Sequence, residues 1–335
     1  MTRYVVTRPY RDSNVGSNLA SLAGALWLAR RLGRELIVDW RGMSQLQDKS
    51  LNYFPELFEH PDSMLGVRVL YAPVAGVDYG DVRPTGGGHA TAFATGYLDA
   101  PDEPIVLEMY HGPDRIVPGE ERGRFELLRS FYRLLAPGAE VRSAVAEGES
   151  RLDAAFVVAL NVRTGNGRYF GKGGEYAGRV DVALFEDESR FLRVVHRASV
   201  ARTRGLPRYL RGSPRIFFAT DSEQMSRLLS RLPNSTTRRT LFPPAGAGDL
   251  HAFPEEVGAD RRSVVDTLAD MFLLARCDAL VYNTSVFNQY ARVVTGCFGG
   301  NMVHLETEFV ERRLAFLRAR VEARVRRLLP ARPSD

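Results

Sequence analysis

The stretch "FVVALNVRTGNG", residues 156–167, opens as an unbroken apolar run and ends in polar residues and glycine. The run Phe156, Val157, Val158, Ala159, Leu160 is short and rich in β-formers. It reads as a central parallel strand covered on both faces. Arg163 falls just past the strand's carboxyl end, where open α/β sheets bind their ligands. A guanidinium there suits phosphate or carboxylate through its planar fork of donors. A salt bridge to a neighbouring loop is the plainer alternative.

On either side of this strand the chain alternates strand and helix. Residues 3 to 7 read as a strand and 16 to 32 as a helix with apolar positions three and four apart, stopped by Gly33. Glu35 to Trp40 is the next strand, which completes the unit from which parallel sheets are built. The stretch from 43 to 122 reads as irregular, with one more strand at Ile105 to Leu107. Within it, Gly86-Gly87-Gly88-His89 is either a flexible loop over a cleft or a tight turn. Helical segments follow at 124–135 and 139–150, separated by Ala136-Pro137-Gly138, and this region reads as a hinge. After the strand at 156–162 come a helix at about 183–204, a strand at 215–220 ending in Asp221, and another helix. Thr240 to Phe242 reads as a short strand, 263–276 as a helix, and 279–282 as a strand running into Asn283-Thr284-Ser285 and a further helix. The order fits an α/β protein of two Rossmann-like halves, residues 1–150 and 151–335, facing each other across a cleft.

The totals agree with that division. A chain of 335 residues is long enough for two α/β domains with separate cores. No apolar stretch reaches the roughly 20 residues of a membrane helix. The N-terminus enters a strand at once, without a signal-type segment, so a cytoplasmic protein is expected. Cys277 and Cys297 belong to no CxxC motif or Cys/His cluster, which argues against structural zinc and a disulfide framework. The net charge of +5 is carried by arginine, since only Lys49 and Lys172 are lysines. Its densest stretches, Arg190 to Arg215 and Arg312 to Arg332, read as helix surfaces and not as a basic stripe with interleaved aromatics. Nucleic acid is therefore not an expected partner.

Several strand ends of the second half deliver polar groups suited to one ligand. Arg163 follows the first strand and Asp221 the next, while Thr284 and Ser285 stand where a strand meets a helix. Hydroxyls and free N–H groups at a helix start form an anion site, and an added arginine makes a pyrophosphate cradle without metal. Asp270 lies in a helix amid Leu, Met and Phe, where a carboxylate is costly to bury unless it receives hydrogen bonds. The N1–H and N2–H pair of guanine would supply them; a solvent-facing helix acid is the alternative. There is no GxxxxGK[ST], no clean GxGxxG after the first strand and no GxSxG, which argues against P-loop kinases and sulfotransferases, ordinary dinucleotide dehydrogenases and α/β-hydrolases. A glycosyltransferase with two facing Rossmann-like domains satisfies what is left.

At these residues the sequence resembles the bacterial nodulation-factor α-1,6-fucosyltransferases (NodZ type) and, more distantly, the eukaryotic core α-1,6-fucosyltransferases and protein O-fucosyltransferases. The matching stretches are "VGSNLASLAGALWLARRLGRELIVDWRG" (15–42), "LNVRTGNG" (160–167), "FFATDS" (217–222), "LFPPAGAGDLHA" (241–252) and "LADMFLLARCDALVYNTSVFNQYARV" (268–293). They stand in the family's order over most of the chain. The resemblance implies a GT-B fold, a GDP-sugar donor held mainly by the C-terminal domain, and inversion at the anomeric carbon with no metal required. It matches Arg163 to the arginine on the donor β-phosphate, Asp270 to the acid that reads guanine, and Ser285 to the block that holds the pyrophosphate. Gly16, Ser17 and Asn18 match the loop approaching from the other domain. Asn161, Asp221, His251 and Thr284 complete the implied donor set.

Two departures stand out. Asn161 replaces a histidine usual in the family two residues before the arginine, and the base that must take the acceptor's proton has no cleanly aligned candidate. Glu175 is the expected base, with Asp181 nearby. The resemblance implies transfer of a sugar, L-fucose first among candidates, to a hydroxyl of an oligosaccharide, natural product or peptide. A catalytically silent nucleotide-sugar binding protein, or an enzyme using GDP-mannose or another GDP-hexose, are the alternatives.

Overall fold

The computed structural model describes residues 3–9, 15–43, 46, 48–79, 104–108, 121–162, 187–204, 207, 214–239, 242, 261–283 and 302–305; for 121–125 and 302–304 it describes the backbone only. Two five-stranded sheets divide these residues. The first holds β1 (Tyr4–Arg8), β2 (Glu35–Val38), β3 (Ser63–Met64), β4 (Val67–Tyr71) and β5 (Ile105–Glu108), in the order β3-β4-β2-β1-β5. All its pairings are parallel except that of β3 with β4. Helix α1 (Val15–Leu32) makes the crossover from β1 to β2, and the short α2 (Phe54–Leu57) precedes β3.

Helices α3 (Glu121–Leu134) and α4 (Ala139–Glu149) lead to the second sheet. It contains β6 (Val157–Val162), β7 (Arg215–Thr220), β8 (Ser235–Thr236), β9 (Ala279–Tyr282) and β10 (Met302–His304), ordered β10-β9-β6-β7-β8 with every pairing parallel. Helices α5 (Glu188–Ala201), α6 (Glu223–Leu229) and α7 (Arg261–Leu274) complete it.

The quoted strand lies at the centre of its sheet, as its composition predicts. Val157 and Ala159 face a core shared with α7, while Val158, Leu160 and Val162 face Phe191 and Val195 of α5 and Met225 of α6. Side chains alternate across a strand, so a strand covered on both faces has no polar face to show in its sequence. Strand β1 repeats the pattern, with Val5 in the larger core and Val6 in a smaller one with Ile37 and Val106.

One apolar cluster runs without a break from Val5 and Val38, through Phe131, Val141 and Val145, to Phe217, Leu268 and Leu273. Helix α4 carries that continuity by packing along α7. At one end Arg261 of α7 donates to Glu140 of α4 (2.7 Å) and Glu56 of α2 (3.0 Å); at the other, Arg276 pairs with Glu149. The connector before α4 docks on α2, where Gly138 N donates to Leu57 O at 2.9 Å.

The stretch from 43 to 122 differs from its expected irregularity. It holds α2, β3 and β4, and β4 pairs with β2 inside the first sheet. Leu65 and Gly66, both at positive φ (49° and 81°), close the β3–β4 hairpin as a primed two-residue turn does. The alternating burial of Val67, Arg68 and Val69 was legible as a half-buried strand; the Pro- and Tyr-rich surroundings masked it. Strand β10 was also unforeseen. The short strand expected at Thr240–Phe242 is not the sheet's edge: β8 at Ser235–Thr236 takes that place, Phe242 lies in no strand, and residues 240–241 are outside the described residues. The Gly86-Gly87-Gly88-His89 stretch and the Arg312–Arg332 stretch are outside them as well. No helix among the described residues is long and apolar enough to cross a membrane.

Candidate functional site

The carboxyl ends of β6, β7 and β9 converge. Asn161 of β6 stands in register with Ala219 of β7 and Tyr282 of β9, and Asn283 N donates to Asn161 O at 3.2 Å. Asp221 follows β7 and is buried. Ser222 caps α6 through its hydroxyl, which accepts from Met225 N at 3.3 Å, so the chain turns sharply away from the sheet and leaves Asp221 at its edge.

Asp270 is the most deeply buried acid among the described residues. It lies in the third turn of α7, 2 % exposed, between Ala269 and Met271 of the core. The solvent-facing alternative is therefore excluded. Two guanidiniums meet it, with Arg238 Nη1 at 3.8 Å from Oδ1 and Arg239 Nε at 3.7 Å from Oδ2. Each arginine is held elsewhere. Arg238 Nη2 donates to Asp266 Oδ1 at 2.6 Å and its Nη1 to Asp266 O at 3.2 Å. Arg239 donates to Thr220 O at 3.2 Å, at the end of β7, and to Thr267 Oγ1 at 2.7 Å. Burial pushes the Asp270 carboxyl up to about 6, and the two arginines limit the rise. Asp270 Oδ1 and Arg239 Nε are buried and have no hydrogen-bond partner in the structure.

Sequence reasoning missed Arg238 and Arg239. Consecutive arginines read as surface, and nothing local shows that both turn inward against α7, Arg238 also meeting α4 at Gly148.

Gly16, Ser17 and Asn18 form the buried first turn of α1, just beyond the carboxyl end of β1. That placement gives them the helix-start geometry suited to an anion. Asn161 and Asp221 lie at the carboxyl edge of the second sheet, and Asp270, within α7, is tied to that edge through Arg239, which approaches it at 3.7 Å and donates to Thr220 O at the end of β7. Arg163, Glu175, Asp181, His251, Thr284 and Ser285 lie outside the described residues.

The first sheet has its own polar cluster at the corresponding edge. Asp39, after β2, accepts from Arg41 through both carboxylate oxygens (2.7 and 2.8 Å) and from Tyr79 Oη at 3.1 Å. Arg8 at the end of β1 donates to Tyr79 O at 2.9 Å, stacks over the Tyr79 ring at 4.9 Å, and approaches Glu108 at the end of β5 at 3.6 Å. Burial, reinforced by the Asp39 charge, pushes the Tyr79 phenol up to about 12. Among the described residues no group of three or more His, Cys, Asp or Glu is placed to hold a metal ion.

The model of the family described as Nodulation protein Z (NodZ) matches residues 1–77 and 122–300 of this chain. The chain belongs to that family. Nodulation protein Z of Bradyrhizobium diazoefficiens is 29 % identical over 313 residues, covering 87 % of this chain and 79 % of the relative. The Sinorhizobium fredii protein is 25 % identical over 328 residues, covering 87 % and 90 %. Among solved structures, NodZ α-1,6-fucosyltransferase soaked with GDP-fucose superposes with a TM-score of 0.57 at 21 % identity, covering 88 % of this chain and 93 % of that one. POFUT1 in complex with GDP gives 0.51 at 11 % identity, covering 90 % and 98 %. At these identities the likeness establishes the fold. It is GT-B, two Rossmann-like units with parallel sheets, as the five sequence blocks predicted.

Proposed function

We propose that this chain is an inverting glycosyltransferase that moves L-fucose from GDP-fucose to an acceptor hydroxyl. Family membership over most of the chain carries the reading, and it is supported by the buried Asp270, tied through Arg239 to the carboxyl end of β7, the end at which α/β sheets hold nucleotides. Residues 151–335 form the donor side and 1–150 the acceptor side. Asp270 accepts from guanine N1–H and N2–H. Arg163, two residues beyond Asn161, meets the β-phosphate, with Thr284 and Ser285 on the pyrophosphate, His251 at the donor, and Gly16, Ser17 and Asn18 approaching from the other sheet.

The reaction is a single displacement. The acceptor oxygen bonds to the anomeric carbon as that carbon's bond to the β-phosphate oxygen breaks, and the bonding pair leaves with GDP. Glu175 takes the acceptor's proton. Charge grows on the departing diphosphate, so a fixed guanidinium there lowers the barrier more than it strengthens ground-state binding. No metal is needed if Arg163 and the helix start near Ser285 carry that charge.

The test is calorimetric titration with GDP, UDP, ADP and GDP-fucose, with GDP-mannose as competitor and Asp270→Ala as control. Selective GDP binding that the variant loses supports the reading. Equal affinity for the three nucleotides, or an indifferent variant, overturns it. Arg163→Ala should lower turnover at least ~100-fold, the scale of losing one preorganised charge-stabilising donor.

A further inference from the structure

We infer that Arg238 and Arg239 are positioning residues which keep Asp270 charged while leaving its oxygens open to the donors of an incoming nucleobase. This inference rests on the reading of Asp270 as the nucleobase acid. The geometry that carries it is a separation of charge from hydrogen bonding. A buried carboxylate stays ionised only if positive charge lies close. The usual partner is an arginine in a fork, and that arrangement saturates the carboxylate's lone pairs. Here the forks are engaged elsewhere. Arg238 spends its on Asp266 Oδ1 and O, and Arg239 spends its on Thr220 O and Thr267 Oγ1. Both guanidiniums are thus held at 3.7–3.8 Å from Asp270, close enough for Coulomb attraction and too far for a hydrogen bond. Oδ1 has no hydrogen-bond donor. A group that is charged, buried and short of donors is poised for a ligand presenting N–H groups. A cytosine or uracil ring, or an adenine edge, presents a different pattern of donors and acceptors.

Among the described residues the other charges near Asp270 are few. Asp266, one turn earlier on α7, opposes its ionisation and is itself neutralised by Arg238. Strand β6 has no ionisable side chain, β7 is followed by Asp221, and α4 contributes Glu149, which is paired with Arg276. Among the described residues the two arginines are the cations that act on this carboxyl.

The test follows the ionisation of Asp270 and GDP affinity together. In protein labelled with 13C at the aspartate carboxyls, with Asp270→Asn to assign the signal, the Asp270 midpoint should rise by at least one pH unit in Arg239→Gln. In Arg239→Lys, which keeps the charge without the fork, it should stay near the wild-type value. The pH at which GDP affinity is half lost should move upward by the same amount in Arg239→Gln. Arg239→Lys, and Arg238→Lys as a second fold-preserving variant, keep the assay informative should Arg239→Gln fail to fold: a midpoint within a few tenths of a unit of wild type supports a charge role. An unchanged midpoint in Arg239→Gln, or a uniform loss of affinity at every pH, overturns the inference and leaves the arginines a merely structural part. If wild-type protein binds no GDP at any pH, the nucleobase reading fails and the open-oxygen half of the inference fails with it; the NMR midpoints then still decide whether the arginines hold the charge.

Discussion

Gly148 of α4 faces Leu273 of α7 so closely that a Cβ on Gly148 would overlap Leu273 Cδ1, and it would also stand 3.3 Å from Arg238 Cδ. The helix that joins the two sheets therefore touches both the shared core and one of the arginines beneath Asp270. A glycine here permits the close approach of α4 and α7, and the chain forgoes the better helix propensity of alanine at that position.

Gly148→Ala weighs two effects against each other. Alanine gains up to about 1 kcal/mol of helix propensity. Forcing a methyl against a fully buried Leu273 costs about 1–3 kcal/mol through displaced rotamers and backbone. The overlap should prevail, with a net loss on the order of 1 kcal/mol in denaturant unfolding. Combining it with Leu273→Ala should give less than the sum of the two single losses, because the second change removes the obstacle to the first. Strict additivity would mean that the helices separate freely.

Asn52 binds three segments of the first sheet together. Its Oδ1 accepts from Trp40 N at 3.0 Å and Phe54 N at 3.3 Å, and its Nδ2 donates to Val38 O at 2.8 Å and Ala72 O at 3.0 Å. Asn52→Ala takes this partner from Trp40 N, Phe54 N and Ala72 O, while Val38 O keeps Ala72 N at 3.1 Å, and should cost roughly 2–4 kcal/mol, at about 1–3 kcal/mol for each group left unsatisfied and some relief from entering water. Asn52→Asp should be no better, since it keeps the acceptor, loses both N–H donors and buries a charge. Urea midpoints of the three proteins check the order.

The Asp39 cluster stands where the proposed acceptor side would meet its substrate. In Asp39→Ala the Tyr79 hydroxyl and the Arg41 fork lose their common partner. Arg41 is 36 % exposed and can rehydrate, so the loss in stability should be about 1–2 kcal/mol and well below that of a fully buried pair. Donor hydrolysis without acceptor should be unchanged while the KM for acceptor rises. A fall in donor hydrolysis would place the cluster on the donor side.

Asp270 makes stability depend on pH with a definite sign. Its folded value of about 6 lies above the ordinary 3.8, so between these values the native state holds more protons than the unfolded chain. The stability this contributes is fully present below about pH 4 and is lost as pH rises through about 6. Asp270→Asn removes that slope, so its stability relative to wild type should improve between pH 4 and 7.5, by up to about 3 kcal/mol on the scale of 1.4 kcal/mol per unit. Saturating GDP, whose N–H donors favour the carboxylate, should offset the wild-type loss. A pH-independent difference between the two proteins would show that Asp270 stays charged throughout.

The sequence by itself determined the alternation of strand and helix, the central position of β6, and the place of Asp221 just past the carboxyl end of β7. These follow from local rules: periodicity sets the elements, and parallel order sends every carboxyl end to the same side. Five ordered blocks determined the family. Tertiary structure alone decided what lies between distant segments. Strand β4 took its place through pairing with β2 across some thirty residues, and Gly148 acquired its meaning only when α7 arrived against it. Arg238 and Arg239 became interior residues because their forks found Asp266, Thr220 and Thr267. The physical reason is the same in each case. Propensity and hydrophobic period act over a few residues, whereas the charge state of a buried carboxyl is set by groups that the fold brings within 4 Å of it.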